Sequence, residues 1–145
     1  MSSNLPKLAS LNQKFPKILK THNADGEDVD FWFECNDGWY EIISSLCYTI
    51  QNHVDHSIRR QELDQDTFDE EVQVKFTQVK EKFGGLRVHI SNGDDYVYGA
   101  IAMAEAHSLH VCERCGAPGN LMGRAWRKTR CVPCDQEETK GQGTK

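Results

Sequence analysis

The sequence predicts an α+β fold, in which two main helices pack on an antiparallel β-hairpin and a C-terminal zinc-ribbon or treble-clef module follows. Apolar residues recur at helical spacing in residues 39–54 and 96–108. They alternate with polar residues on both sides of Gly84-Gly85, as in two half-buried strands joined by a turn. Two Cys-x-x-Cys pairs come later in the chain, and 145 residues with 38% hydrophobic side chains are enough for one core.

The first part of the chain contains short elements. Leu8, Leu11 and Phe15 have helical spacing and predict a short helix that ends near a proline. Residues 22–26 have the composition of a loop, and the acidic stretch after them lacks the ligand alternation of an EF-hand, so it is interpreted as a solvated loop. Three consecutive aromatic residues at 31–33 predict a short strand or a buried segment.

The first main helix is predicted over residues 39–54, where the apolar residues lie on one face. Asn36 or Asp37 is expected to cap it. Cys35 and Cys47 are interpreted as small buried hydrophobic residues. Two histidines near the end of this helix, His53 and His56, could ligate a metal together, but no third ligand is close in sequence. Favourable placement of their charge at a helix C-terminus is the preferred interpretation.

The hairpin and the second main helix follow a polar stretch, residues 59–71, which is expected to be a linker or a short helix. Alternating residues predict strands over 72–77 and 86–90, with the turn at Gly84-Gly85. The glycines lack the surrounding pattern of a phosphate-binding loop, so a turn is favoured. The alanine-rich residues 96–108 place Val97, Ile101 and Ala104 on one stripe and predict a helix that packs closely.

The C-terminal part carries the most specific motif. The two pairs Cys112/Cys115 and Cys131/Cys134 have the spacing of a four-thiolate site, which predicts one structural zinc ion. Gly116 suits the tight turn after the first pair, and acidic residues after the second pair suit a helix start. Two disulfides, a redox pair and an iron–sulfur cluster are the competing interpretations. His107 or His110 could replace a thiolate or support one.

Composition predicts a main domain at residues 1–108, a zinc-binding module at 109–138 and a flexible tail at 139–145. No stretch resembles a secretion signal or a membrane span, so a cytoplasmic protein with no membrane partner is expected. The net charge of −5 makes a protein that mainly coats nucleic acid less expected. Charge is uneven, however, because residues 109–134 hold five arginine and lysine residues against the single acid Glu113.

Residues 124–130 are predicted to form a strand in the zinc module. Its cations and its tryptophan would then make a partner-binding surface of Arg124, Trp126, Arg127, Lys128 and Arg130. A tryptophan between cations can stack on nucleic-acid bases, whereas the alternative is that Trp126 covers the small core of the module. Treble-clef nucleases of the His-Asn-His type would need a histidine in this hairpin, and residues 116–130 contain none. The protein is therefore expected not to be an enzyme.

Five segments form a recognisable set: Phe-Pro-Lys-Ile at 15–18, Glu-Cys-Asn-Asp-Gly-Trp at 34–39, Leu-Cys at 46–47, Val-Lys-Glu-Lys-Phe-Gly-Gly-Leu-Arg at 79–87 and Cys-Glu-Arg-Cys-Gly-Ala-Pro-Gly at 112–119. Together they resemble a family of small proteins encoded by phages and prophages. The resemblance implies a protein made during infection that works in the bacterial cytoplasm. It favours binding to a host protein, for example to inhibit a defence system. Nucleic-acid binding and sequestration of a small molecule remain alternatives.

Overall fold

The structure is a computed structural model, and it describes residues 6–57 and 62–143. In this part of the chain it has six α-helices, two short 3-10 segments and three two-stranded antiparallel sheets, which confirms the predicted α+β class. The elements in chain order are the 3-10 segment Leu8–Ser10, α1 Leu11–Lys14, α2 Pro16–Leu19, β1 Thr21–His22, β2 Asp28–Val29, the 3-10 segment Asp37–Trp39, α3 Tyr40–Asp55, α4 Gln65–Glu71, β3 Lys75–Lys82, β4 Gly85–Ser91, α5 Asp95–Ser108, β5 Asn120–Met122, β6 Lys128–Arg130 and α6 Val132–Gly143.

The core lies between α3, α5 and the β3–β4 hairpin, as predicted. The helices α3 and α5 contact each other, α5 covers β4, and α2 covers β3. Trp39, Phe68 and Phe76 are the largest fully buried side chains. All 21 buried residues of the hydrophobic cluster lie between Leu8 and Ala104. The core therefore closes before the chain reaches the first cysteine pair.

The start of α3 differs from its prediction. The helix begins at Tyr40, after a 3-10 turn, and no side chain caps it. Asp37, one of the two expected caps, instead accepts a hydrogen bond from the backbone N–H of Leu8 at 2.9 Å. This carboxylate joins the N-terminal segment to the α3 entry, a long-range role that local capping rules do not consider.

The hairpin is present, but β3 starts three residues later than the alternation indicated and β4 starts one residue earlier. β3 begins at Lys75, because Val72 and Val74 pack against the core in the connection from α4. The turn consists of Phe83 and Gly84, both at positive φ, with Lys82 paired to Gly85. The predicted turn at Gly84-Gly85 is thus displaced by one residue.

Other expectations need smaller corrections. The aromatic segment at 31–33 is not a strand; Phe31 and Phe33 pack against the core, whereas Trp32 is 80% exposed. The polar stretch before the hairpin does contain a short helix, α4, and it buries Phe68. Residues 58–61 lie outside the described residues, as do 144–145. The helix α6 runs to Gly143 and so enters the segment predicted as a flexible tail. No helix of the described residues is long and apolar enough to cross a bilayer.

Candidate metal centre

The four cysteines of the two pairs come together in space. The sulfur atoms of Cys112, Cys115, Cys131 and Cys134 all lie within 4.8 Å of one another. None of them forms a disulfide. Among the described residues, no other group of three or more histidine, cysteine, aspartate or glutamate side chains has metal-binding proximity. These sulfurs could therefore hold one metal ion.

The spacing of the sulfurs fits a tetrahedral metal shell better than it fits disulfides. Zinc–sulfur bonds of about 2.3 Å place the sulfurs of a tetrahedron roughly 3.8 Å apart. The Cys115 and Cys131 sulfurs are 3.6 Å apart, whereas a disulfide would bring them to about 2.05 Å. This separation joins one cysteine from each pair across the site, as expected where a single central ion is held by both pairs.

The first pair forms a knuckle whose backbone points at sulfur. The N–H groups of Arg114, Cys115 and Cys131 hydrogen-bond to the Cys112 thiol, and Gly116 donates to the Cys112 carbonyl at 2.9 Å. Burial raises the pKa of Cys112, but these donors more than offset it and bring the pKa down to about 7. Gly116 has φ +85°, so the expectation that this turn needs a left-handed residue is confirmed.

The second pair lies at the beginning of α6, as expected for a treble clef. Cys131 immediately precedes the helix and Cys134 is in its first turn, where Asp135 donates its N–H to the Cys131 carbonyl at 3.0 Å. Burial raises the pKa of the Cys134 thiol, and the neighbouring Cys131 and Cys115 thiols raise it further. A divalent cation would reverse this preference, because it favours thiolates.

The segment between the pairs is a hairpin, but its second strand is shorter than predicted. β6 covers only Lys128–Arg130, and it pairs with β5 so that Leu121 faces Thr129 and Met122 faces Lys128. Arg124 and Trp126 therefore lie in the β5–β6 loop, and the single strand face predicted for residues 124–130 does not exist. β6 begins only at Lys128, because its partner Met122 is the last residue of β5 and Gly123, at φ +92°, begins the loop.

The residues predicted as a partner surface divide into two groups. Arg124, Trp126 and Arg127 are exposed, and Trp126 is 87% exposed, so it does not cover the core of the module. Arg130 is 4% exposed and lies between Glu113 and Glu138, at 3.3 and 3.1 Å. Arg130 is thus a buried structural residue and not an exposed contact. A buried arginine is uncommon unless it is paired, so composition alone could not identify this one.

The module is attached to the core through the 3-10 turn before α3. Gly38 donates its N–H to the Glu113 carbonyl at 2.7 Å, and Asn36 donates to the Glu113 carboxylate at 3.0 Å. The Trp39 indole N–H donates to the Val111 carbonyl at 2.9 Å. A Cβ atom at Gly38 would overlap the carbonyl oxygens of Cys112 and Glu113. The Asn-Asp-Gly segment, predicted as a helix cap, therefore holds the knuckle against the core.

A second contact joins the module to the β3–β4 turn. Thr129 donates its hydroxyl to the Gly84 carbonyl at 2.7 Å, and Lys128 lies 3.0 Å from the Glu81 carboxylate. Partial burial raises the pKa of Glu81, but the Gly84 N–H and the Lys128 ammonium lower it by more, so the net shift is downward. Lys128 is therefore engaged within the molecule, which reduces its availability to a partner.

The histidines that the sequence singled out do not join the metal centre. His53 Nε2 lies 2.7 Å from the Asp94 carboxylate, and the ring stacks on Tyr96. His56 contacts the Asn52 carbonyl at 2.8 Å. His107 lines a groove between α3 and α5, and neither it nor His110 belongs to the four-sulfur cluster.

A groove between α3 and α5 was not anticipated from the sequence. Its volume is about 570 Å³, and its apolar lining includes Ile42, Leu46 and Ala104, with the knuckle at Cys115 and Gly116 closing one end. Helical periodicity shows which residues face a neighbour but not where two helices leave space between them. Small residues in α5 were the one available signal, because they shorten the side chains that would otherwise fill the gap.

No protein-family model, curated protein or solved structure matches this chain. Functional conclusions therefore rest on the four-sulfur cluster, on its attachment to the core and on the exposed side chains around it.

Proposed function

We propose that the protein is a non-enzymatic binding protein whose C-terminal module is organised by one structural zinc ion. The observation that carries this proposal is the closure of the site by four sulfurs, all within 4.8 Å of one another. Four thiolates fill the tetrahedral positions of zinc and leave none for a reacting water. The ion then fixes the knuckle and the start of α6 relative to each other, and the module can present side chains on a rigid frame.

Metal content tests the first part of this proposal. Protein purified without chelator should contain one zinc ion per chain by elemental analysis, and Cys131→Ser should lose most of it. Cys35→Ser is the matched control, because Cys35 is a free cysteine outside the cluster, and this variant should retain one ion. Iron with visible absorbance would instead identify an iron–sulfur cluster, and protein without metal would contradict the proposal.

The proposed partner is a host protein in the cytoplasm of a phage-infected bacterium, bound in a way that disables a defence factor. The resemblance of the sequence to phage proteins supports a role in the infected bacterium. The groove between α3 and α5 supports binding of a partner protein there. Its apolar floor is open enough to take side chains of an amphipathic helix, a common mode of peptide recognition. Met103 on its border is 73% exposed, and methionine adapts well to varied apolar partners.

Affinity capture tests this partner. Tagged protein should retain a stoichiometric host protein from bacterial lysate, both with and without nuclease. Ser45→Arg places a long cation in the groove and should abolish capture. Ala102→Arg is the control, because Ala102 is exposed on α5 but does not line the groove. Equal capture by both variants would contradict the groove as the binding site.

Binding of nucleic acid is a second candidate function, and one observation favours it specifically. The β5–β6 loop holds Arg124, Trp126 and Arg127 in solvent, with the tryptophan close to both arginines in sequence. Arginine and tryptophan together can bind phosphates and stack on bases. The β5–β6 loop is therefore the candidate nucleic-acid-binding surface of the module.

A further inference from the structure

Two loops from different parts of the chain lie side by side. The β3–β4 turn, Phe83-Gly84, contacts the hairpin of the metal module, and a Cβ atom at Gly84 would come within 3.2 Å of the Arg127 carbonyl carbon and would overlap Leu121. Thr129 fixes this contact through its hydrogen bond to Gly84. Phe83 directly precedes Gly84, and Trp126 directly precedes Arg127. Because consecutive Cα atoms are about 3.8 Å apart, the Cα atoms of Phe83 and Trp126 are at most roughly 14 Å apart.

Both loops expose a large aromatic side chain. Trp126 is 87% exposed and Phe83 is 70% exposed. Aromatic rings gain most of their stabilising free energy from burial, and neither ring obtains it within this molecule. Two exposed rings on adjacent loops are a larger apolar surface than isolated exposed residues usually make.

Phe83 also occupies an unfavourable backbone conformation. Its φ is +54° and that of Gly84 is +86°, the pattern of a two-residue turn that favours asparagine followed by glycine. A bulky aromatic residue at positive φ is strained, and its exposed ring recovers little through packing. Backbone strain of this kind concentrates at functional sites, which makes the Phe83 ring a candidate for contact with a ligand.

The charges around the two rings are positive and available. Lys82, Arg124 and Arg127 form no ion pair in the part of the chain that the structure describes, and the Lys82 ammonium is 5.6 Å from the Phe83 ring centre. The nearby acid Glu81 is already engaged by Lys128 and by the Gly84 N–H. The surface therefore combines three cations that form no ion pair among the described residues with two exposed rings, although the whole protein is acidic.

We propose that these two loops form one binding site for single-stranded nucleic acid, the two-loop surface, made of Lys82, Phe83, Arg124, Trp126 and Arg127. The rings stack on bases and the cations contact the phosphates between them. A single strand is specified because stacking needs base faces, which a duplex hides. The proposal deepens the nucleic-acid candidate above by adding the core hairpin to the site, and it does not depend on the groove between α3 and α5.

Fluorescence anisotropy with labelled oligothymidylate and oligouridylate, each of about 12 nucleotides, tests the site; the two probes distinguish DNA from RNA. The zinc-loaded full chain should bind at low salt and release the probe as salt rises. Trp126→Ser should weaken binding about fivefold or more, since one stacked base is lost. Trp32→Ser is the matched control, because Trp32 is 80% exposed outside both loops, and its affinity should be unchanged.

Phe83→Asn gives the sharpest test, because folding and binding should change in opposite directions. Asparagine tolerates the positive φ, so the melting temperature should rise, while binding should weaken about fivefold through the lost ring. A variant that binds poorly because it is misfolded could not give this combination. Unchanged oligonucleotide affinity with a raised melting temperature would overturn the role of Phe83 and reduce the site to one loop.

The cations are tested through the salt dependence. Arg124→Ser combined with Arg127→Ser should make the slope of log affinity against log salt less steep by about 1.4, at about 0.7 per phosphate contact on a single strand. Lys7→Ser combined with Lys17→Ser changes the net charge equally, at exposed positions elsewhere, and should leave the slope unchanged. Equal effects of the two pairs would show attraction by net charge alone and overturn the site.

Failure of this proposal is distinguishable from failure of the others. No binding of either oligonucleotide at low salt, with one zinc ion per chain still present, would overturn the two-loop surface and leave the metal proposal standing. A captured host protein that is lost with Trp126→Ser, while oligonucleotides do not bind, would reassign the surface to a protein partner. Capture that is lost only with Ser45→Arg would concern the groove alone.

Discussion

At the scale of single residues, the ion pair between Glu113 and Arg130 holds the module together. Both side chains are buried, at 3% and 5% exposure, and each has further partners. Glu113 also accepts from the Asn36 N–H, and Arg130 also contacts Glu138. Glu113 sits between the cysteines of the first pair and Arg130 precedes the second, so the pair links both halves of the metal site from the side facing the core.

Removing one partner of this pair should cost far more than removing both. Arg130→Met leaves the Glu113 carboxylate buried without its counter-charge, and the free energy of unfolding should fall by about 3–5 kcal/mol. Arg130→Met combined with Glu113→Leu should recover much of that loss. Urea unfolding of the zinc-loaded variants measures both values. Additive losses in the double variant would show that the two side chains act independently.

Substitution of two glycines by alanine should distinguish a glycine that is needed for close backbone contact from one that only adds freedom to the unfolded chain. Gly38→Ala puts a methyl group against backbone carbonyls of the knuckle, which cannot move without shifting the cysteines, so stability should fall by about 1–3 kcal/mol and zinc affinity should fall with it. Gly99 lies inside α5, and a Cβ atom there would have no atom within 4 Å apart from its own stretch of helix, so Gly99→Ala should gain about 0.5–1 kcal/mol. Thermal unfolding and competition with a zinc chelator measure these effects. Equal effects of the two substitutions on stability would contradict the close packing of Gly38 against the knuckle.

At the scale of elements, sequence patterns predicted what local physical chemistry determines. The apolar stripe predicted α3 to within one residue at each end, and Ala-rich periodicity predicted α5. The start of β3 was predicted three residues early, because Val72 and Val74 pack against the core before strand pairing begins, whereas β4 starts one residue before its prediction. The β1–β2 pair was missed, since both two-residue strands are exposed and carry no apolar alternation.

The N-terminus of α5 combines a helix cap with a close contact to His53, and both depend on Asp94. Its carboxylate accepts from the Val97 N–H at 2.9 Å and lies 2.7 Å from His53. The hydrogen bond to His53 is the largest cause that lowers the Asp94 pKa, followed among the lowering causes by the cap bond. A carboxyl group with a lowered pKa in the folded state stabilises the fold when ionised.

Asp94→Ala should therefore reduce stability by about 1 kcal/mol at neutral pH, the usual value of an N-cap. The difference from wild type should be fully present above the unfolded pKa of about 3.9, and it should disappear as pH falls through the lower folded pKa. Asp94→Asn is the control, because asparagine caps helices well but does not titrate. Unfolding curves across this acidic range measure the difference. A constant difference down to the lowest pH would contradict the assigned ionic contribution.

At the scale of the whole molecule, the sequence located the metal ligands but not their attachment to the core. Four cysteines at regular spacing identify their own chemistry, whereas Asn36 and Glu113 are 77 residues apart and interact through backbone and carboxylate. No pattern within a short window encodes such a contact. The segments 34–39, 79–87 and 112–119 meet at this junction, which gives them a common structural role.

Removal of the metal should therefore release the module and leave the core folded. The hydrophobic cluster of the core draws its buried residues from Leu8 to Ala104, so release of the module removes none of these buried residues. Hydrogen exchange measured with and without chelator should show loss of protection at the Asn36 and Gly38 amides, which donate to Glu113, and in β5 and β6. Amides of α3 and of the β3–β4 hairpin should keep theirs. Simultaneous loss in the core would mean that core and module unfold as one unit, and the predicted division at residue 109 would then be wrong.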